Sequence, residues 1–184
     1  MTDHSFPHLY DVSYTSGMTG TRWLDEGEQR AWRAYQLMQG RLAGRLNRQL
    51  QADSGLSLAD YEVLVLLTDR EEGRVRPFEL QRCLQWEQSR LSHHLTRMQR
   101  RGLVERTECG EDGRGAFVVL TDAGREAIEA AAPGHVDAVR RLFFDGLSRE
   151  QVRLLERLAD RVLERLEREA SERPATAGPA GCSG

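Results

Sequence analysis

Residues 77–121 read PFELQRCLQWEQSRLSHHLTRMQRRGLVERTECGEDGRGAFVVLT. Pro77 suits the first turn of a helix, where its missing N–H has no partner to lose, so PFELQRCL opens as a short helix. Gln85-Trp86-Glu87 makes a tight connection. In QSRLSHHLTRMQRR, Leu91, Leu95 and Met98 recur at helical spacing on one face, and Gly102 supplies the stop. LVERTE alternates as a strand. Gly110, Gly113 and Gly115 permit a reversal, AFVVL reads as the returning strand, and Thr121 caps whatever follows. A short helix, a tight turn, a second amphipathic helix and a hairpin predict a winged helix-turn-helix. The fold class is mainly α with a small β-hairpin wing (α+β).

Working outward, residues 57–76 extend this lobe. Ser57 is an N-cap with Asp60 at the reciprocal capping-box position, and Leu58, Tyr61, Leu64, Val65 and Leu67 mark the helix it opens. Before it, Trp32, Tyr35, Met38, Leu42, Leu46 and Leu50 predict a helix from about residue 25 to residue 51. After Thr121 a helix runs towards Phe144, with a kink or break expected at Pro133-Gly134. Ser148, with Gln151 at the box position, caps a last helix to about Arg168. Its apolar stripe is Val152, Leu155, Leu158, Ala159, Val162, Leu163 and Leu166. These terminal helices are too long and too apolar for one copy of the chain to bury, which predicts a homodimer. The expected organisation is a flexible arm over 1–24, dimerisation helices over 25–56 and 122–170, a DNA-binding lobe over 57–121 and a disordered tail over 171–184.

Composition narrows the function. No run of 18 apolar residues exists, and the N-terminus lacks the basic and apolar regions of a secretory signal, so the expectation is a cytoplasmic protein with no membrane partner. The net charge of −3 is unevenly spread: residues 74–106 hold eight arginines and three glutamates, or +5, which leaves −8 for the rest. A basic centre in an acidic chain is the footprint of a polyanion partner. Every basic residue is Arg, so each cationic contact is planar and permanently charged.

Double-stranded DNA is the partner that this arrangement predicts. A major groove admits one helix, read from its N-terminal half, which here offers Gln88, Ser89, Arg90, Ser92 and His93. Arg90 has the fork to take a guanine O6/N7 pair. The two serines allow close approach, and Arg97 falls one turn later, placed for phosphate. At the hairpin tip Arg114 is placed for the minor groove, where a guanidinium reads groove width and negative potential. Asp112 would repel phosphate, so its expected task is to orient Arg114.

No metal or cofactor is expected. His93 and His94 diverge by about 100° on a helix and cannot easily share one ion. His94 is expected at the edge of the core. No nucleophile–base pair, phosphate loop or paired carboxylate points to an enzyme. Two alternatives stay open: a winged-helix protein-interaction module, and a thiol-based redox-responsive regulator acting through Cys83 or Cys109.

RMQRRGLVERTECGEDGRGAFVVLTDAGREAIEAA resembles the recognition helix, wing and following helix of the MarR (multiple antibiotic resistance regulator) transcription factors. The matching marks are Arg101-Gly102-Leu103-Val104 with Arg106, Asp112-x-Arg114, and Leu120-Thr121-x-x-Gly124-Arg125. The likeness extends over roughly residues 28–168. It implies a homodimeric regulator, a repressor by expectation, that binds a pseudo-palindromic operator and is released by a small-molecule effector. The fold implies an effector pocket between the dimer helices and the DNA-binding lobe, for which Trp32, Tyr35, Tyr61 and His135 are the candidates.

Overall fold

The computed structural model describes residues 22–70, 72–108 and 116–172. The element order is α1 (Glu26–Ser54), α2 (Leu58–Thr68), β1 (Arg74–Val75), α3 (Pro77–Leu84), α4 (Gln88–Arg100), β2 (Val104–Glu108), β3 (Ala116–Leu120), α5 (Asp122–Val139), a π-helical turn (Arg140–Phe144) and α6 (Arg149–Glu172). The chain divides after Arg41, within α1, into two compact units.

Local chemistry sets most boundaries. Asp25 opens α1: its carboxylate accepts the Glu28 N–H (2.8 Å), and Glu28 accepts the Asp25 N–H (2.9 Å). The same reciprocal box opens α2, where Ser57 and Asp60 exchange bonds of 2.9 and 3.0 Å, and α6, where Ser148 and Gln151 exchange bonds of 2.8 and 3.2 Å. Glu79 accepts the Arg76 N–H at 3.1 Å ahead of Pro77, fixing the start of α3. Gln85 turns the chain between α3 and α4 in a left-handed conformation (φ 53°), its side-chain amide donating to the Arg82 carbonyl at 2.7 Å. Gly102, at φ 73°, ends α4 without the steric cost a Cβ would bring.

The wing strands pair as expected, Val104 opposite Leu120 through to Glu108 opposite Ala116. A third strand was not expected. Arg74 and Val75 pair antiparallel with Val119 and Val118, giving the sheet order β1-β3-β2. Val75 and Val118 bury their side chains together with Leu64, Leu80, Leu95 and Met98 in one core.

Two expectations about the C-terminal half are corrected. Of the kink or break expected at Pro133-Gly134, the break is ruled out: α5 runs through it, and the helix changes to π-helical form at residues 140–144. One missing N–H is tolerable here because Pro133 and Glu129, whose carbonyl it would have bonded, lie on the exposed side. The last helix also continues to Glu172. No residue of α6 is buried, and Leu154, Leu158, Val162, Leu163 and Leu166 are all at least half exposed. Among the described residues no helix is long and apolar enough to cross a membrane.

Candidate nucleic-acid interface

α4 presents two faces. Leu91, His94, Leu95 and Met98 are buried, while Gln88, Ser89, Arg90, Ser92, His93 and Arg97 are exposed. The predicted contact residues thus share the open side of one helix, with Arg90, His93 and Arg97 in line at helical spacing. The two neighbouring histidines separate, His94 inward and His93 outward. Arg114 and Asp112 lie outside the described residues, as do Cys109 and Cys182.

The arginines of this face are held in place. Arg90 lies 4.3 Å over the Trp86 ring, and Trp86 is itself buried. That stack lets the guanidinium spread on an apolar support with its edge N–H groups free to bond. An Arg97 Nη is 2.9 Å from His94 Nδ1. A guanidinium can only donate, so this nitrogen is the acceptor and the imidazole proton sits on Nε2.

His94 Nε2 in turn faces Asp60 Oδ1 at 3.0 Å, meeting ion-pair distance without good hydrogen-bond alignment. On the other carboxylate oxygen Arg101 Nη1 donates at 2.7 Å, and Arg101 Nη2 donates to the Gly55 carbonyl at 2.8 Å. Burial alone would push the Asp60 carboxyl up. The His94 contact, the Ser57 bonds and the Arg101 fork outweigh that and hold it well below the usual carboxylate range. Arg101 thereby pins the end of α4 to the α1–α2 junction. The capping role of Asp60 was readable from Ser57; its grip on His94 and Arg101 was not, because those partners lie far along the chain.

A cleft of about 630 Å³ opens beside α4, lined among others by Arg76, Phe78, Gln81, Gln88, Ser92 and Arg106. Arg76 and Arg74 lie over the Phe117 ring at 4.0 and 4.9 Å, and Arg74 also pairs with Glu72. These arginines extend the cationic surface from the recognition helix onto the sheet. Counting charge in residues 74–106 included them, but sequence reasoning assigned them no site.

The effector candidates form ring pairs. Trp32 and Tyr35 stack at 5.7 Å in the first half of α1, both exposed. Tyr61 meets His135 at 4.3 Å. Burial pushes the Tyr61 hydroxyl up and the His135 imidazole down, which keeps both neutral at pH 7. His135 Nδ1 and Gln49 Oε1 are buried without a hydrogen-bond partner among the described residues, and Gln49 Nε2 lies 3.4 Å from where a Cβ on Gly134 would stand, next to His135 in sequence. Neither Tyr61 nor His135 lines the cleft beside α4. Cys83 is exposed on α3.

The comparisons agree with this geometry. A family model described as MarR family matches residues 54–115. AbsC, a MarR family transcriptional regulator from Streptomyces coelicolor, is 41% identical, over 80% of this chain and 99% of that one, with a TM-score of 0.75. Sco3205, a regulator of the same family and organism solved in complex with DNA, is 40% identical, over 87% and 97%, with a TM-score of 0.76. The transcriptional repressor MprA of Escherichia coli is 26% identical over 130 residues, 71% of this chain and 73% of that protein. With near-complete coverage of AbsC at that identity, and with the helix-turn-helix and wing in place, the chain belongs to the MarR family of transcriptional regulators.

Proposed function

We propose that the protein is a cytoplasmic repressor that acts as a homodimer on a pseudo-palindromic operator and is released by a small-molecule effector. The observation that carries this reading is the open face of α4, where Ser89, Arg90, Ser92, His93 and Arg97 stand together over a buried apolar face. In this reading residues 57–121 are the DNA-binding lobe. Gln88, Ser89, Arg90, Ser92 and His93 enter the major groove, Arg97 meets phosphate, and Arg114, oriented by Asp112, reaches the minor groove. The relative Sco3205, solved with DNA, supports the partner assignment. The effector sits beside Tyr61 and His135, where the unpartnered polar atoms of His135 and Gln49 offer it hydrogen bonds, and Trp32 and Tyr35 are the other candidates for contact with it.

Arg90→Ala is expected to fold normally and to lose discrimination at one base-pair position by about 1–3 kcal/mol, the size of one bidentate base contact. Selection from a randomised palindrome pool by the two proteins, followed by sequencing, reads this directly. An unchanged preference removes Arg90 from base readout. Binding must also weaken steeply with salt, since phosphate contacts release counterions. A protein that prefers no duplex at low salt but captures a polypeptide is instead an interaction module.

Dimerisation is assigned to the helices over 25–56 and 122–170. In α6 the exposed Leu158 and Leu163 would each contribute about 2 kcal/mol when covered by a partner. The double variant Leu158→Glu/Leu163→Glu is expected to sediment as a monomer that keeps its helical circular dichroism. A dimeric variant would place the interface elsewhere.

A further inference from the structure

We propose that His94 is a positioning residue for Arg97, holding its guanidinium at the DNA face through a neutral Nδ1 that accepts one of its N–H groups. The inference rests on the DNA-binding reading of α4. His94 and Asp60 are both almost fully buried, at 5% and 4% exposure, whereas Arg97 is exposed. Here Nδ1 is aimed at a cation one turn away, and its bond of 2.9 Å crosses from the core to the surface.

The wider geometry fits the same role. The Trp86 and His94 rings meet edge to face at 5.1 Å, so they form one buried aromatic unit beneath the helix. Arg90 is stacked on one end of that unit and Arg97 is bonded to the other. Both arginines are therefore ordered before DNA arrives. Ordering a long side chain in advance removes part of the entropy that binding would otherwise cost. One guanidinium N–H is committed to His94, and the others remain to meet phosphate.

The charge state of His94 matters to this tie. Around the ring stand Asp60 of α2, itself bonded by Arg101 just past the end of α4, and Arg97 of α4; Arg90 lies across the Trp86 ring, and Glu62 of α2 is within electrostatic reach. In the neutral ring Nε2–H looks to Asp60 and the Nδ1 lone pair looks to Arg97. A second proton would land on Nδ1. That removes the acceptor and sets two cations against each other, so Arg97 is released.

The substitutions separate the two ring nitrogens. Glutamine keeps a donor towards Asp60 but has no acceptor at the Nδ1 position; asparagine keeps the acceptor. The probe is the duplex that the wild-type protein selects from the randomised palindrome pool, followed by fluorescence anisotropy. His94→Gln should bind about tenfold more weakly, the scale of one lost hydrogen bond to a charged group. His94→Asn should recover most of that loss. In the Arg97→Ala background, His94→Gln should cost nothing further. Multiplicative losses in the double variant, or a His94→Gln affinity equal to the wild type, overturn the inference while leaving the DNA-binding reading intact. A wild-type protein that selects no duplex overturns that reading, and the inference with it. If His94→Gln does not fold, long-range proton–nitrogen spectra of the wild-type protein decide: an unprotonated Nδ1 and a protonated Nε2 are expected, and a protonated Nδ1 overturns the assignment.

Discussion

Gly124→Ala is expected to destabilise the protein by about 3 kcal/mol or more, towards or beyond the upper end of what overpacking usually costs. A Cβ built on Gly124 would lie 2.1 Å from the Leu103 carbonyl oxygen, 2.9 Å from Leu120 Cδ1 and 3.0 Å from the Leu103 carbonyl carbon. No rotamer can relieve this, because the two Leu103 atoms belong to backbone. That backbone is fixed from several directions. The Thr121 hydroxyl donates to the Gly102 carbonyl at 2.6 Å while accepting the Gly124 N–H at 3.0 Å, so the first turn of α5 is clamped to the loop that ends α4. Moving α5 outward would break this clamp and open the core at Ile128 and Ala131. Gly44→Ala is the internal control. Its Cβ would meet only the mobile Arg48 Nη1 at 3.6 Å, and alanine is the better helix former, so that variant should be neutral or slightly stabilised. Thermal unfolding of both variants checks the contrast. Equal midpoints would mean that α5 can shift away from β2 at little cost.

Asp60→Ala is expected to cost about 3 kcal/mol near neutral pH. Removing one partner of a buried ionic contact leaves the others desolvated and unpaired, and here the α2 cap is lost as well. The cost stays at the low end of such losses because the Arg101 side chain is 42% exposed and regains water. The pH dependence has a definite sign. The folded carboxyl titrates well below its unfolded value of about 3.9, so its stabilisation is complete above that value and fades as the pH falls below it. Denaturant unfolding should therefore show the gap between wild type and Asp60→Ala narrowing as the pH drops from about 5 towards 2. A gap that stays constant would assign the loss to packing and capping, with no contribution from the charge. Because Asp60 holds Arg101 and faces His94, the variant should also loosen α4 on its base.

How much of this was legible in the sequence differs between the fold and the site. Ser57 with Asp60, Ser148 with Gln151, Thr121, Pro77 and Gly102 announce helix ends through bonds that span at most a few residues. The spacing of Leu91, Leu95 and Met98 divides α4 into a core face and an open face, which places Gln88, Ser89, Arg90, Ser92, His93 and Arg97 on one side before any tertiary contact is known.

The sequence by itself determined the order of the six helices and the two wing strands, most of the helix caps, the faces of the recognition helix and the basic centre. All of these follow from interactions within one or two turns. The tertiary structure alone decided that Arg74 and Val75 form a third strand, since the residues they pair with lie more than 40 positions later. It decided that α5 passes through Pro133, because that depends on which side of the helix faces solvent. It left the apolar stripe of α6 exposed, where periodicity could not say which surface would cover it. It also joined Asp60 to His94 and Arg101, and laid Arg74 and Arg76 over Phe117. Ring tautomers, ion pairs and ring stacks require atoms brought within a few ångströms by the fold, and no local pattern carries that information.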